Sequence, residues 1–274
     1  MSKILVVGKK SFIARWIHKQ SKYHTILINY EDLIKKKDNF FKKFSFIINC
    51  SSNLTFIKKK YDIKFDHDYN IALKIKDLNC RYLFLSTRKV YYPKSNIKET
   101  DKLQPNCHYS KNKLISENMV MSVLNKRILI LRLGNIIGYD TNKSSRKLHS
   151  TFMDIFIKNA RNGIIFRNPH IYKDFLPIKF FVKIIDKLIV NKCVGIYNVS
   201  FGKKVYLDYI LKWLNYYNIK PFKTKTLKIN KKNNNKESFY LNINKLKRKI
   251  KFNLTLKILK IECMAISKKI FNEK

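Results

Sequence analysis

Short apolar runs alternate with helix-length segments through the first 135 residues, and that alternation is what most restricts the fold. Lys3 to Val7 reads as a buried strand ending at Gly8, and Ser11 to Gln20 as a helix with Phe12, Ile13, Trp16 and Ile17 on one face. His24 to Ile28 follows as a strand, Glu31 to Phe44 as a basic amphipathic helix or loop, and Phe46 to Asn49 as a third strand running into Cys50-Ser51-Ser52. Asp68 to Leu78 reads as a helix, Arg81 to Leu85 as a strand ending at Ser86-Thr87, Tyr109 to Leu124 as a long helix and Ile128 to Leu133 as a fifth strand. Strands that alternate with helices build βαβ units and a parallel sheet. A tight turn after the first strand points to an open, doubly wound α/β sheet, whose ligands lie at the carboxyl ends of the strands. Gly8, Cys50 to Ser52, and Ser86-Thr87 all sit at such ends.

Beyond residue 135 the pattern loosens. Helices are expected over Thr151 to Arg161, Phe180 to Val190, Tyr206 to Tyr217 and Leu254 to Phe271, with short strands near Ile164–Phe166 and Gly195–Ser200. Lys220 to Lys236 is rich in Lys and Asn and reads as an exposed connector. The division is a dinucleotide-binding core over residues 1–135, and a region over 136–274 that completes the sheet and forms a smaller lobe.

Composition excludes several classes. The net charge of +41 invites a nucleic-acid reading. Yet only nine of the 59 basic residues are arginine, and the lysines spread over nearly every segment instead of gathering in one arm. Lys, Asn and Ile are inflated together, as an AT-rich coding genome would produce, so a nucleic-acid partner is not favoured. The five cysteines (Cys50, Cys80, Cys107, Cys193, Cys263) form no Cys-x-x-Cys pair. That argues against a zinc site or disulfide framework and fits a reducing cytoplasm. No apolar stretch approaches the ~20 residues that span a bilayer.

Tyr109 and Lys113 are four residues apart, on one face of the long helix. A lysine ammonium beside a phenol favours the phenolate, so the tyrosine's pKa is expected to fall from about 10 toward working pH. Such a pair can give and take a proton in a carbinol–ketone interconversion. With 16 tyrosines and 50 lysines the spacing also arises by chance, and its weight comes from its surroundings. Gly8-Lys9-Lys10-Ser11-Phe12-Ile13-Ala14 occupies a strand-to-helix turn where a nucleotide phosphate could meet the helix N-terminus. Ser11 and Ala14 stand where a Gly-x-x-Gly-x-x-Gly pattern has its second and third glycines.

Taken in order, these pieces resemble the extended short-chain dehydrogenase/reductases of the NAD-dependent epimerase/dehydratase family, which act on nucleotide sugars. The resemblance runs through Val7-Gly8-x-x-Ser11-Phe12-Ile13-Ala14; Ile48 to Ser52; Asp68-Tyr69-Asn70; Phe84 to Thr87 with Val90-Tyr91; and Tyr109-x-x-x-Lys113. It continues through Leu131 to Gly138, Lys173-Asp174-Phe175-Leu176-Pro177-Ile178, Gly195 to Val199 and Leu241 to Leu246, so it covers nearly the whole chain. It implies a Rossmann-type sheet with a small C-terminal substrate-binding lobe. It implies Tyr109 as acid/base, Lys113 on the nicotinamide ribose and Thr87 on the reacting sugar oxygen. Gly8, Ser11, Phe12, Ile13 and Cys50, Ser51, Ser52 would line the cofactor, with Tyr109 and Lys113. Asn135 and Lys173 would face the substrate phosphates, Lys173 standing where the family usually has Arg. His149 falls in a loop where relatives place a substrate-facing residue, but reads here as an exposed loop histidine. Relatives commonly dimerise through two helices from each copy, which is compatible with a homodimer here.

The residues after Thr87 narrow the chemistry that the resemblance implies. Dehydratases of the family carry an Asp-Glu pair there, and this chain has Arg88-Lys89. Lys89 also replaces the Cys used by epimerising fucose synthase relatives. Reduction of a 4-keto-6-deoxy sugar nucleotide, similar to dehydrorhamnose reductases, is the expectation. A 4-epimerase, and a non-catalytic or RNA-binding relative, are the alternatives. An NAD site wants a carboxylate after the second strand. Here Asn29 ends it, Glu31 and Asp32 follow, and Lys9 and Lys10 could meet a 2′-phosphate, so the balance leans slightly to NADP(H) over NAD(H).

Overall fold

Alternate residues of a strand face opposite sides of a sheet, so a strand covered on both sides must be apolar throughout. The computed structural model, which describes residues 3–140, 151–220, 223–226 and 238–272, has this arrangement. Strands β1 (Lys3–Val7), β2 (Thr25–Ile28), β3 (Phe44–Asn49), β4 (Arg81–Thr87) and β5 (Ile128–Leu133) join a late strand, β10 (Gly195–Val199), in one sheet. Its order is β10-β5-β4-β3-β1-β2, with every neighbour parallel. Ile4, Val6, Ile48, Leu83, Leu85 and Leu131 face one core layer; Leu5, Val7, Ile47, Tyr82, Phe84 and Ile130 face the other.

Helix α1 (Phe12–Gln20) and helix α8 (Ile178–Val190) cover the first layer. Helices α5 (His67–Lys74) and α6 (His108–Leu124) cover the second. The sheet order reverses between β2-β1 and β3, the crevice where such sheets bind ligands. Val7 pairs with both Ile28 and Asn49, and Thr87 pairs with Leu133. Gly8, Cys50, the end of β4 and Gly134 are thereby brought to one edge.

The second half adds two-stranded pairings. They join β6 (Asn135–Ile137) to β9 (Phe175–Pro177), β8 (Tyr172–Lys173) to β11 (Val205–Tyr206), and β7 (Ile164–Arg167) to β12 (Lys223–Thr226). The described part of the expected connector is thus a strand, because its exposed backbone finds a partner along β7. The expected Glu31–Phe44 segment divides into two short helices, Tyr30–Ile34 and Asp38–Phe41, and Phe44 already belongs to β3. The helix expected to Leu78 ends at Lys74, and the one expected to Tyr217 ends at Leu214. Trp16 is half-buried, its ring meeting Phe12 edge-on at 6.2 Å between centroids; α1 turns it to the margin of the core its helix partners Ala14 and Ile17 fill. His149 lies outside the described residues.

Helix α6 seats on the sheet through polar groups. Its inner face carries Ser110, Asn112, Lys113, Ser116 and Glu117, all buried. Asn112 donates from Nδ2 to the carbonyls of Phe56 and Lys59 at 2.7 and 2.8 Å. Glu117 accepts from Arg132 of β5, at 3.2 Å from Nε to each carboxylate oxygen and 2.6 Å from the guanidinium to Oε2, and also from Ser86. The two side chains are 3% and 0% exposed, so breaking the pair strands a charge in the interior. Arg132→Met is expected to lower stability by about 3–5 kcal/mol. Denaturant unfolding measures it, and Glu117→Leu/Arg132→Met, which strands no charge, should recover much of the loss.

Candidate active site

The first strand turns into α1 through Gly8, whose φ of +105° is a conformation that favours glycine. A Cβ at Gly8 would lie 3.0 Å from the Ser51 amide nitrogen and 3.1 Å from the Cys50 carbonyl carbon. The turn after β1 and the loop after β3 are therefore in contact. The Cys50 amide donates to the Val7 carbonyl at 2.9 Å, and the Ser51 amide to Asn49 Oδ1 at 2.9 Å. The turn lacks the second and third glycines, and Arg15 braces it from the helix. Its guanidinium donates to the Lys10 carbonyl at 2.7 Å and pairs with Asp140. Ser11 occupies the N-cap of α1 without a capping side-chain bond, and no acidic residue sits in the first turn. That helix end keeps its amide donors and positive dipole end for an anion.

Beside this loop, His67 stacks on Tyr30 with 3.4 Å between ring centroids, and its Nδ1 lies 3.0 Å from Ser51 Oγ. Asn70 donates to the Tyr30 hydroxyl at 3.1 Å. Burial lowers the imidazole pKa to about 4, against smaller opposing effects of Asp68 and Glu31.

Thr87 ends β4, buried. Its Oγ1 accepts from the Lys89 amide at 3.3 Å, capping the short turn Arg88–Val90 against which α6 packs. The same hydroxyl keeps its proton to donate. Tyr109 is the second residue of α6 and is half-buried. Burial raises its pKa above 10, Lys113 pulls it down and Asp68 pushes it up. The lowering expected from the Tyr109–Lys113 spacing is thus reversed. Burial is the larger cause, and Lys113 is itself paired: Nζ lies 2.9 Å from Asp68 Oδ2, with the side chains 7% and 5% exposed. Asp68 Oδ1 accepts from Tyr82 OH at 2.7 Å and from Asn49 Nδ2 at 2.8 Å.

On the other side, Asn135 donates from its backbone amide and from Nδ2 to the Asp174 carbonyl, at 3.0 and 3.1 Å, which pins β6 to β9. Lys173, half-buried in β8, pairs with Val205. Asp174, next to it, is buried and accepts from the amides of Gly202 and Leu241, at 3.0 and 2.9 Å. Burial nevertheless raises its pKa to about 6. Arg88 lies 3.3 Å over the Phe239 ring, tying the turn after Thr87 to the second half of the chain.

Residues 4–200 match the model of the NAD-dependent epimerase/dehydratase family. The chain belongs to that family. It is accordingly an enzyme of the NAD(P)-dependent nucleotide-sugar class. No curated protein sequence matches it. Solved structures share its fold across nearly the full length. A UDP-N-acetylglucosamine 4-epimerase from Methanobrevibacter ruminantium, in complex with UDP-N-acetylmuramic acid, is 17% identical, with TM-score 0.78 over 97% of each chain. A dTDP-4-dehydrorhamnose reductase from Clostridium acetobutylicum is 20% identical, with TM-score 0.74 over 95% of this chain and 98% of that one. The dTDP-4-dehydrorhamnose reductase from Bacillus anthracis, in complex with NADP, is 14% identical, with TM-score 0.75 over all of both chains. No described helix is long and apolar enough to cross a membrane, and the described residues hold no cluster of side chains suited to a metal.

Sequence reasoning left Asp68 without a role, although it stands in the run Asp68-Tyr69-Asn70, and did not single out Tyr30, His67, Tyr82 or Asp174. Nothing local marks an Asp near a helix start as the partner of a lysine 45 positions on. His67 offers a stability test. Unfolded, it binds a proton below about 6.5; folded, only below about 4. Its depressed pKa therefore contributes stability that is complete above pH 6.5 and lost as pH falls through 4, about 3 kcal/mol in all. The difference in unfolding free energy between wild type and His67→Phe should shift by that amount between pH 7 and pH 4. A pH-independent difference contradicts it.

Proposed function

We propose that this enzyme reduces a 4-keto-6-deoxy sugar attached to a nucleoside diphosphate, with NADP(H) ahead of NAD(H). The observation that carries the reading is that Thr87 ends β4 and that α6, with Tyr109 and Lys113 in its first two turns, packs on β4 and on the turn after Thr87, where Arg88-Lys89 stands in place of carboxylates. The dinucleotide supplies the hydride. Tyr109 gives its phenolic proton to the carbonyl oxygen as charge develops there, Thr87 donates a hydrogen bond to the same oxygen, and Lys113 faces the phenolate that results. Gly8, the N-terminal amides of Phe12 and Ile13, and the loop Cys50-Ser51-Ser52 hold the cofactor diphosphate, beside Ser11. Asn135 and Lys173 meet the sugar nucleotide; a lysine there is a point charge without arginine's two-pronged grip. Residues 1–135 carry the cofactor, and 136–274 complete the sheet and hold the sugar.

NADP(H) is favoured because Asn29, at the end of β2, brings no charge to a ribose, and Lys9 and Lys10 are exposed on the turn beside it. Asp32, whose carboxylate lies 3.4 Å from Asn29 Nδ2, would favour NAD(H) if it reached the ribose. The absence of an acid pair after Thr87 argues against loss of water as the chemistry.

Anaerobic turnover of a dTDP- or UDP-4-keto-6-deoxyhexose, followed as loss of reduced-cofactor absorbance, tests the reading. Stoichiometric consumption of NADPH is expected; interconversion without net consumption would make the enzyme an epimerase. Tyr109→Phe should reduce kcat by about 10²–10⁴, and Thr87→Ala by about 10²–10³, each with NADPH affinity little changed. The two tryptophans report that affinity by quenching. No binding of either cofactor at millimolar concentration would leave a non-catalytic relative.

A further inference from the structure

Lys113 is enclosed. Its Nζ lies 2.9 Å from Asp68 Oδ2, 4.4 Å from the Phe84 ring centroid and 5.8 Å from that of Phe56. The carboxylate it meets cannot swing away, because Oδ1 is held by Tyr82 and Asn49. Asp68, Tyr82 and Asn49 come from α5, β4 and β3, three elements that only the folded sheet brings together.

We propose that Asp68 is the positioning residue of the catalytic pair: it fixes the Lys113 ammonium and offsets part of its field at Tyr109, so that the site is set to donate a proton to a carbonyl. The proposal rests on the reading of Tyr109 as the acid. A lone lysine one turn away would favour the phenolate. A lysine in contact with a carboxylate acts as a neutral pair, whose effect at a third group is the small difference between two opposed interactions. The other groups facing the pair do not restore the imbalance. Asp66 on the α5 side is a second acid, bound by Tyr61 OH and Ser116 Oγ at 2.9 Å each. His67 is neutral above about pH 4, Cys50 and Tyr82 are held protonated by burial, and Cys107, the N-cap of α6 with Lys89 nearby, adds only to the raising of Tyr109. At Tyr109 the Lys113 ammonium is thus opposed by Asp68, and burial, the largest cause, raises the phenol above its ordinary value. Such a phenol remains a full acid at neutral pH, which suits reduction better than the abstraction of a carbinol proton.

The test begins without cofactor. Tyrosinate absorbance is titrated for the wild type and for Asp68→Asn, each minus its Tyr109→Phe counterpart, across the pH range in which circular dichroism is constant. In Asp68→Asn the Tyr109 step should appear at least about one pH unit lower, a tenfold loss of proton affinity. Coincident steps overturn the proposal, as does absence of a step in both proteins. If Asp68→Asn does not fold, Asp68→Asn/Lys113→Met removes both charges. Its Tyr109 step should then lie within about half a unit of wild type, and a larger shift refutes the offset. With cofactor and keto sugar, the alkaline limb of kcat in Asp68→Asn should move down by the same interval. Should the wild type reduce no sugar, the functional reading falls while the titration still decides the role of Asp68.

Discussion

Charges buried beneath helix α6 organise this molecule. A helix that carries a candidate acid into an active site usually docks by an apolar stripe. Here Lys113 and Glu117, four residues apart, point inward and each meets an opposite charge, Asp68 and Arg132. Such pairs contribute little net stability, since desolvation offsets most of the attraction, but a wrong register would bury unpaired charge at a cost of several kcal/mol. The pairs therefore fix where α6 lies on the sheet, and with it the height of Tyr109 relative to Thr87. Arg132 extends the arrangement across β5, its guanidinium 4.8 Å over the Tyr91 ring, and the Tyr91 hydroxyl donates to Asn198 of β10 at 2.8 Å.

The loops that end β1 and β3 are held by a different set of contacts. The turn after β1 has lost two of the three glycines of its pattern, and side-chain to backbone bonds take over. Arg15 grips the loop carbonyls, and Asn49 ties the loop after β3 both to itself and to Asp68. Through Asn49 and Asp68 the loop after β3 and Lys113 share one hydrogen-bonded chain.

Much of the fold was legible in the residue pattern. The apolar runs at Lys3–Val7 and Ile128–Leu133 match the observed strands, because a strand buried on both faces leaves a continuous apolar signature. Helix ends were read less well, as at Leu78 and Tyr217, since periodicity continues past the last helical hydrogen bond. Lys223–Thr226 gave no strand signal at all; its four exposed side chains are polar and only the backbone of β7 makes it one. Trp16 showed a helix face correctly but not the edge of the core on which that face ends.

For the site, the motif order placed Gly8, Thr87, Tyr109 and Lys113 on the right elements, and the match over residues 4–200 establishes the family. Local spacing could say that Tyr109 and Lys113 share a helix face, because that depends only on 3.6 residues per turn. It could not say which way the phenol's pKa moves. That depends on burial and on Asp68, which lies 45 positions from Lys113 and is brought to it by the packing of α5 and α6 on one side of the sheet. Composition and periodicity are properties of neighbours along the chain; the electrostatic environment of a buried group is a property of neighbours in space, and only the tertiary structure sets it.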